Sequence, residues 1–280
     1  AGLLSDLTES ADDFGADSRL PGLVPSGELD GSRYAIPYYA GVRIVMYNKA
    51  HFQEAGVEIP KTLDELEQVA AKLAEVKGSK ADGYSAFYFP GKFWYGALPF
   101  IWSEGGDLAT KDGDEWTGKL DSAESRAGLE LLKRLVVTYS TAPTDGIEVQ
   151  TWEVFQEDNV GMVIDSWWAP GAIVGANEAF APNVGVFALP GVTADETAPA
   201  FLGGSDLAIP EKSEQKSLAS EWMKILTGTE MQTQLAKEGG VIPNQEAAFA
   251  GHEGNEFLQI ADAAASVSAF TPVSPNWGNV

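Results

Sequence analysis

Short apolar runs alternate with capped amphipathic segments along this chain, and that alternation leaves few folds open. After Pro60-Lys61-Thr62, the residues Leu63, Leu66, Val69, Ala70, Leu73 and Val76 recur at helical spacing until Gly78 stops them. Thr62 and Glu65 have the spacing of a capping box. A second helix opens at Asp121 or Ser122 and carries Ala127, Leu131, Leu132, Leu135 and Val136 on one face. Ser213 is placed to cap a third, with Leu218, Trp222, Ile225 and Leu226. Thr229 and Gln232 have capping-box spacing for a short fourth, ended by Gly239-Gly240. Between them, residues 42–47, 160–164, 184–189 and 207–209 read as strands. Strands interleaved with helices predict an α/β protein. No repeat, low-complexity tract or flexible linker interrupts the pattern, and KDGDEWTG (111–118) reads as surface turns.

The charge narrows the partners. Forty-one acidic against 18 basic side chains give −23, which repels nucleic acid and anionic headgroups. The 280 residues, 44% of them hydrophobic, suffice for a core in one or two domains. There are no cysteines, so disulfides, thiolate zinc sites and cysteine nucleophiles are excluded together. No apolar run is long enough to span a bilayer. The opening AGLLSDLTES lacks a basic region followed by an apolar core, so an export signal is expected to lie upstream or to have been removed.

Enzyme signatures are scarce. His51 and His252 stand in polar surroundings and are expected at the surface. Dinucleotide fingerprint, P-loop, nucleophile elbow and zincin motif are all missing, and no metal or cofactor is expected. Glu153, Glu157, Asp158 and Asp165 offer carboxylate pairs of the kind a glycosidase uses. Among 41 acidic residues such pairs arise by chance, so catalysis is not expected.

The aromatic residues are more informative. FYFPGKFWYGALPFIW (87–102) is dense in rings, SWW (166–168) closes an apolar run, and Trp277 lies near the end. Phe87, Phe89, Phe100 and Ile101 are expected in the core. Trp94, Trp168 and Trp277 stand beside Gly or Pro, where the chain turns at the surface, and so are candidates to line a cleft. Flat rings with a few polar groups suit a sugar, whose ring faces are apolar and whose edges carry hydroxyls. Covering one indole face removes roughly 100 Å² from water, worth ~2–3 kcal/mol. Micromolar affinity needs about −8 kcal/mol net, so directed hydrogen bonds must supply the remainder.

The order of segments resembles a known family. DGSRYAIPYYAGVRIVMYNKAHFQEAGVEIPKTLDELEQVAAKL, FIWSEGGDL, FQEDNVGMVIDSWWAPGAI, FLGGSDLAIPEKSEQKSLASEWMKILT, EGGVIPNQ and the closing Pro-x-x-x-x-Trp follow the carbohydrate-binding solute-binding proteins of ABC importers, the group of maltose-binding protein. The resemblance covers nearly the whole chain. It implies a two-lobe periplasmic-binding-protein-like (type II) fold with the ligand cleft between lobes. Lobe 1 would hold residues 1–40 and 205–246, and lobe 2 residues 44–200 and 247–280. Crossings would fall near 40–43, 201–205 and 242–246. The family's opening strand-helix units and its last helices have no counterpart, so lobe 1 is expected to be incomplete.

The resemblance also implies ligand contacts. Trp168 matches the sugar-stacking tryptophan of lobe 2, with Ser166 and Trp167 in place of the usual Gly-Pro. Tyr39 and Gly41 fall beside the first crossing, where Gly41 lacks the family's polar group and Arg43 is placed to replace it. Tyr95, with Trp94, matches an aromatic wall. Gly204, Ser205 and Asp206 match the second crossing, and Trp277 the late tryptophan at the cleft edge. The implied function is capture of a di- or oligosaccharide outside the cell and delivery to membrane permease subunits by a monomer. Its location would be the periplasm, or the outer face of the cell membrane with a lipid anchor. The alternatives are a binding protein for a polyamine, a peptide or a metal chelate, a secreted carbohydrate-active enzyme, and an adhesin.

Overall fold

The run expected at 160–164 forms the strand Val160–Ser166, buried along its whole length. Its neighbours explain why an uninterrupted apolar run was needed. In the computed structural model, which describes residues 2–15, 23–113, 115–148, 151–250, 254–272 and 274, this strand has a partner on both sides. Ser85–Tyr88 pairs with it in parallel and Arg43–Asn48 antiparallel, with Val184–Phe187 beyond as an edge. An interior strand covered on both faces reads as continuous apolar sequence rather than as alternation.

The chain divides into two compact units. One is built from Ala1–Val42 and Leu202–Ser266, the other from Arg43–Phe201 and Val267–Val280. Residues 247–266, expected in lobe 2, belong to the first unit, and the third change of unit falls after Ser266 rather than at 242–246. The helix Glu256–Ser266 accounts for this, because it buries Leu258, Ala261, Ala264 and Ala265 and packs on strands of the first unit.

In the second unit, the helix Leu63–Lys77 buries Leu63, Leu66, Val69, Ala70 and Leu73 of the stripe that periodicity predicts, while Val76, in its last turn, stays exposed. Each buried Leu or Val contributes about 1.5–3 kcal/mol, which is what holds a helix whose other face is charged. Thr62 Oγ1 accepts from Glu65 N at 3.1 Å, while the Glu65 carboxylate reaches back to Lys61 N at 2.7 Å. The helix Ala123–Tyr139, capped by Ser122, covers the same core. It approaches the helix Trp94–Ser103 closely, since a Cβ on Gly128 would lie 2.1 Å from the Phe100 carbonyl oxygen. Phe87, Phe89, Phe100 and Ile101 are buried as expected. The 111–118 segment is more than turns: Ala109–Asp112 and Glu115–Gly118 form an antiparallel hairpin with exposed faces.

His51 is not at the surface. It is 2% exposed, with Nδ1 3.1 Å from Tyr84 Oη and Nε2 3.1 Å from Asp158 Oδ1. Burial holds its imidazole below the usual range, nearby Lys77 adds to this, and Asp158 opposes it. The polar sequence around His51 marked the exposed side of a short helix, Lys49–Ala55, whose other side buries His51, Phe52 and Ala55. His252 lies outside the described residues.

The first unit has a three-stranded antiparallel sheet in the order Gly203–Leu207, Ile36–Gly41, Ile242–Pro243. Its core includes Leu7, Ala11, Phe14, Ile36, Ile209 and Met223. The strand expected at 207–209 lies earlier, and Ile209 packs beyond its end. Two expected caps differ. Ser213 Oγ accepts from Gln215 N, and the helix starts later, at Lys216–Thr227. Gln232 is fully buried and spans Leu226 O and Asn244 N, while Thr229 donates to Gln245, so no capping box forms. The Lys216–Thr227 helix turns Met223 and Thr227 inward and leaves Leu218, Trp222 and Ile225 exposed at 66%, 58% and 60%.

Candidate functional site

Each unit carries its own group of the residues singled out above. In the second unit, Arg43 opens an interior strand opposite Ser166, which brings it to the same sheet end as the SWW segment. Its guanidinium carbon lies 5.3 Å from the centre of the Tyr95 ring and 5.9 Å from that of Phe93. Nε and Nη2 donate to Glu148 at 2.7–3.1 Å. Arg43 is thus held as a cation against aromatic faces, a favourable arrangement for a planar guanidinium.

Trp94 and Tyr95 begin the helix Trp94–Ser103, and their ring centres are 3.8 Å apart. Phe201 completes the cluster, with its centre 4.9 Å from Tyr95 and 5.7 Å from Trp94. Trp94 remains 43% exposed. Trp168 stands apart from this cluster in its contacts: it meets Trp152 edge-on at 6.3 Å and is 39% exposed. Its place at the N-cap of the helix Ala169–Ala176 explains the exposure, because the chain turns there into a first turn that carries Pro170. Trp167 packs more deeply, and its Nε1 is buried with no partner among the described residues.

Behind the tryptophans sits Asp165, 5% exposed. Its carboxylate accepts from Thr151 Oγ1 and, at 2.6 Å, from Ser166 N. Burial, the largest cause, raises its pKa to about 6 against the opposing effects of those bonds and of Arg43. The sign follows. A carboxyl whose folded pKa exceeds its unfolded value of 3.8 stabilises the fold once protonated, so this contribution is complete below pH 3.8 and lost as pH rises through 6. Urea unfolding of the wild type and Asp165→Asn at pH 8 and pH 5 tests this. The wild type is expected to gain about 1 kcal/mol over the variant on acidification, and parallel behaviour of the two proteins excludes it.

Asp165 and Asp158 do not form a glycosidase pair. The extended strand Val160–Ser166 lies between them, and five residues of strand already span ~17 Å, beyond the ~5–10 Å such chemistry needs.

In the first unit, Tyr39 and Ser205 are cross-strand partners, with Ser205 Oγ donating to Tyr39 Oη at 3.3 Å. Gly41 pairs with Gly203. Gly204 has φ +142°, and a Cβ there would meet the Tyr39 carbonyl oxygen at 2.2 Å. The register shifts after Ser205 and sets Asp206 opposite Pro37. Asp206 Oδ2 accepts from Ser26 at 2.8 Å, while Oδ1 is buried without a partner among the described residues. Burial raises its pKa, with the Ser26 bond opposing. Trp277 lies outside the described residues. The described residues hold no group of three His, Cys, Asp or Glu placed to bind a metal, and no helix among them is long and apolar enough to cross a membrane.

Sequence reasoning passed over Glu148, Thr151, Trp152 and Ser26, and it cited Phe201 only as a crossing. Arg43, expected to stand in for the group Gly41 lacks, has Nε and Nη2 on Glu148, while Nη1 has no partner among the described residues.

An α/β architecture in two units, one with a four-stranded and one with a three-stranded sheet, is that of the type II periplasmic-binding-protein class. The chain belongs to the bacterial extracellular solute-binding protein family, whose model matches residues 1–261. It is 35% identical over its whole length to the diacetylchitobiose-binding protein DasA of Streptomyces coelicolor, and covers 65% of that protein. The maltose-bound MalE3 of T. maritima superposes with a TM-score of 0.83 at 26% identity, over 99% of this chain and 72% of the other. The GacH receptor of Streptomyces glaucescens, at 24% identity and TM-score 0.84, shares the fold over 99% of this chain and 70% of its own. The chain therefore spans slightly less than two-thirds of the length of its first curated relative. Family and relatives are binding proteins rather than enzymes.

Proposed function

We propose that this chain captures a di- or oligosaccharide outside the cell and delivers it, unaltered, to the permease subunits of an ABC importer. The observation that carries this is the gathering, within one unit, of Trp94, Tyr95 and Phe201 around the Arg43–Glu148 pair. An apolar face bordered by a donor and an acceptor matches the faces and edges of a pyranose. Trp168 with Trp152 is the second stacking surface in this reading. By the family resemblance, Tyr39, Gly41, Gly204, Ser205 and Asp206 are the positions of the first unit that would face the ligand, and Trp277 would be a further ring. The family reading has the sugar favour a closed state of two lobes by its greater affinity for it. A monomer in the periplasm or on the outer face of the membrane, lipid-anchored in the latter case, fits this role.

The relative that binds diacetylchitobiose supports an N-acetylated disaccharide as the first ligand to try. A polyamine is less well served. It needs several open carboxylates, and Asp165 is closed off by Thr151 and Ser166. Titration calorimetry with diacetylchitobiose, maltose and their monosaccharides tests the proposal, with thin-layer analysis of the recovered sugar. Binding of a disaccharide with no product is the expected result. Binding of spermidine alone, or cleavage of the sugar, overturns it.

A further inference from the structure

The Arg43–Glu148 pair is largely withdrawn from water, with side chains 12% and 31% exposed. Such a pair adds little net stability, because desolvation offsets most of the attraction. Its geometry is nonetheless specific. Nε and Nη2 of Arg43 are both on Glu148, while Nη1 has no partner among the described residues. Glu148 Oε2 accepts two of these bonds and Oε1 only one, which leaves Oε1 with accepting capacity. Arg43 is clamped on its other side by Phe93 and Tyr95. Glu148 is itself tethered: its carbonyl oxygen lies 3.2 Å from Thr151 Oγ1, the hydroxyl that holds Asp165.

The geometry points to Glu148 as a positioning and specificity residue of the sugar site. It locks the Arg43 guanidinium beside Tyr95, so that Arg43 Nη1 and Glu148 Oε1 form a fixed donor–acceptor edge for neighbouring sugar hydroxyls. This rests on the sugar-binding reading and adds to it a residue and a mode of discrimination. A free arginine must give up side-chain freedom to bind, and one already held does not. A hydroxyl that donates to the carboxylate and accepts from the guanidinium satisfies both. An analogue lacking it leaves Nη1 and Oε1 without that partner, which is how a polar site rejects a near-isostere.

The test is calorimetry of diacetylchitobiose and maltose on the 280-residue chain and on Glu148→Gln, Glu148→Asp, Arg43→Lys and Glu148→Gln/Arg43→Lys, with Tyr95→Ala as reference. Melting temperatures are read on every protein. Each single change at 43 or 148 is expected to weaken the tighter-bound disaccharide about tenfold or more. The double change is expected to be no worse than the weaker single one, because the two side chains act as a unit. The preference between the two disaccharides should also narrow, which a purely structural role does not produce. Glu148→Asp retains the charge while withdrawing it by one methylene, so it reports on binding even if Glu148→Gln folds poorly. Wild-type affinity and preference in both Glu148 variants, with Tyr95→Ala impaired, overturns this inference and leaves the sugar reading standing. If the wild type binds neither disaccharide nor their monosaccharides, the sugar reading falls and takes the inference with it.

Discussion

Replacing Trp168 by alanine is expected to weaken disaccharide binding between about 30- and 150-fold while leaving the melting temperature within a few degrees of wild type. The affinity figure comes from the ~2–3 kcal/mol gained when one face of an indole is covered by a sugar ring. The small stability effect has a separate cause. Trp168 is 39% exposed, makes its one described ring contact edge-on with Trp152, and provides no side-chain cap to the helix it precedes. Phe87, with no exposure, is the contrasting case: truncating it would open a cavity and cost about 3–5 kcal/mol. Calorimetry beside thermal unfolding separates the two effects. Trp168→Ala binding as tightly as wild type removes this ring from the site, and a large drop in melting temperature shows that it serves the core instead.

The second large effect is expected at Gly204, in stability rather than in direct contact. Gly204→Ala should cost about 3 kcal/mol or more. Its φ of +142° is one an L-residue rarely adopts, and the new Cβ would press on the Tyr39 carbonyl oxygen at 2.2 Å. Backbone of the paired strand has to move, and Tyr39 and Ser205 move with it. Gly31 provides the control. It also has a positive φ, +82°, but nothing lies within 4 Å of its Cβ position, so Gly31→Ala should cost only about 1 kcal/mol. Denaturant unfolding of both variants gives the comparison, and equal losses would mean that the close strand approach contributes nothing.

The parts of this protein that depend on neighbours in sequence were legible from it. The stripe Leu63 to Leu73, the Thr62 and Ser122 caps and the buried run at 160–164 are local patterns, set by the period of the backbone and by orphan amides at helix ends. The exposure of Trp94 and Trp168 was readable for a similar reason, since each stands where the chain turns. The folded chain alone decided who meets whom. Glu148 is 105 residues from Arg43, and Ser26 is 180 residues from Asp206. Among 41 acidic residues, no spacing rule pairs those two carboxylates with Arg43 and Ser26. His51 and Gln232 were misplaced on the same account, because a polar residue is buried when distant groups satisfy it, and those groups arrive only with the tertiary fold. The helix Glu256–Ser266 joined the first unit for want of any local signal, as an amphipathic helix carries its apolar face but not the identity of the sheet that will cover it.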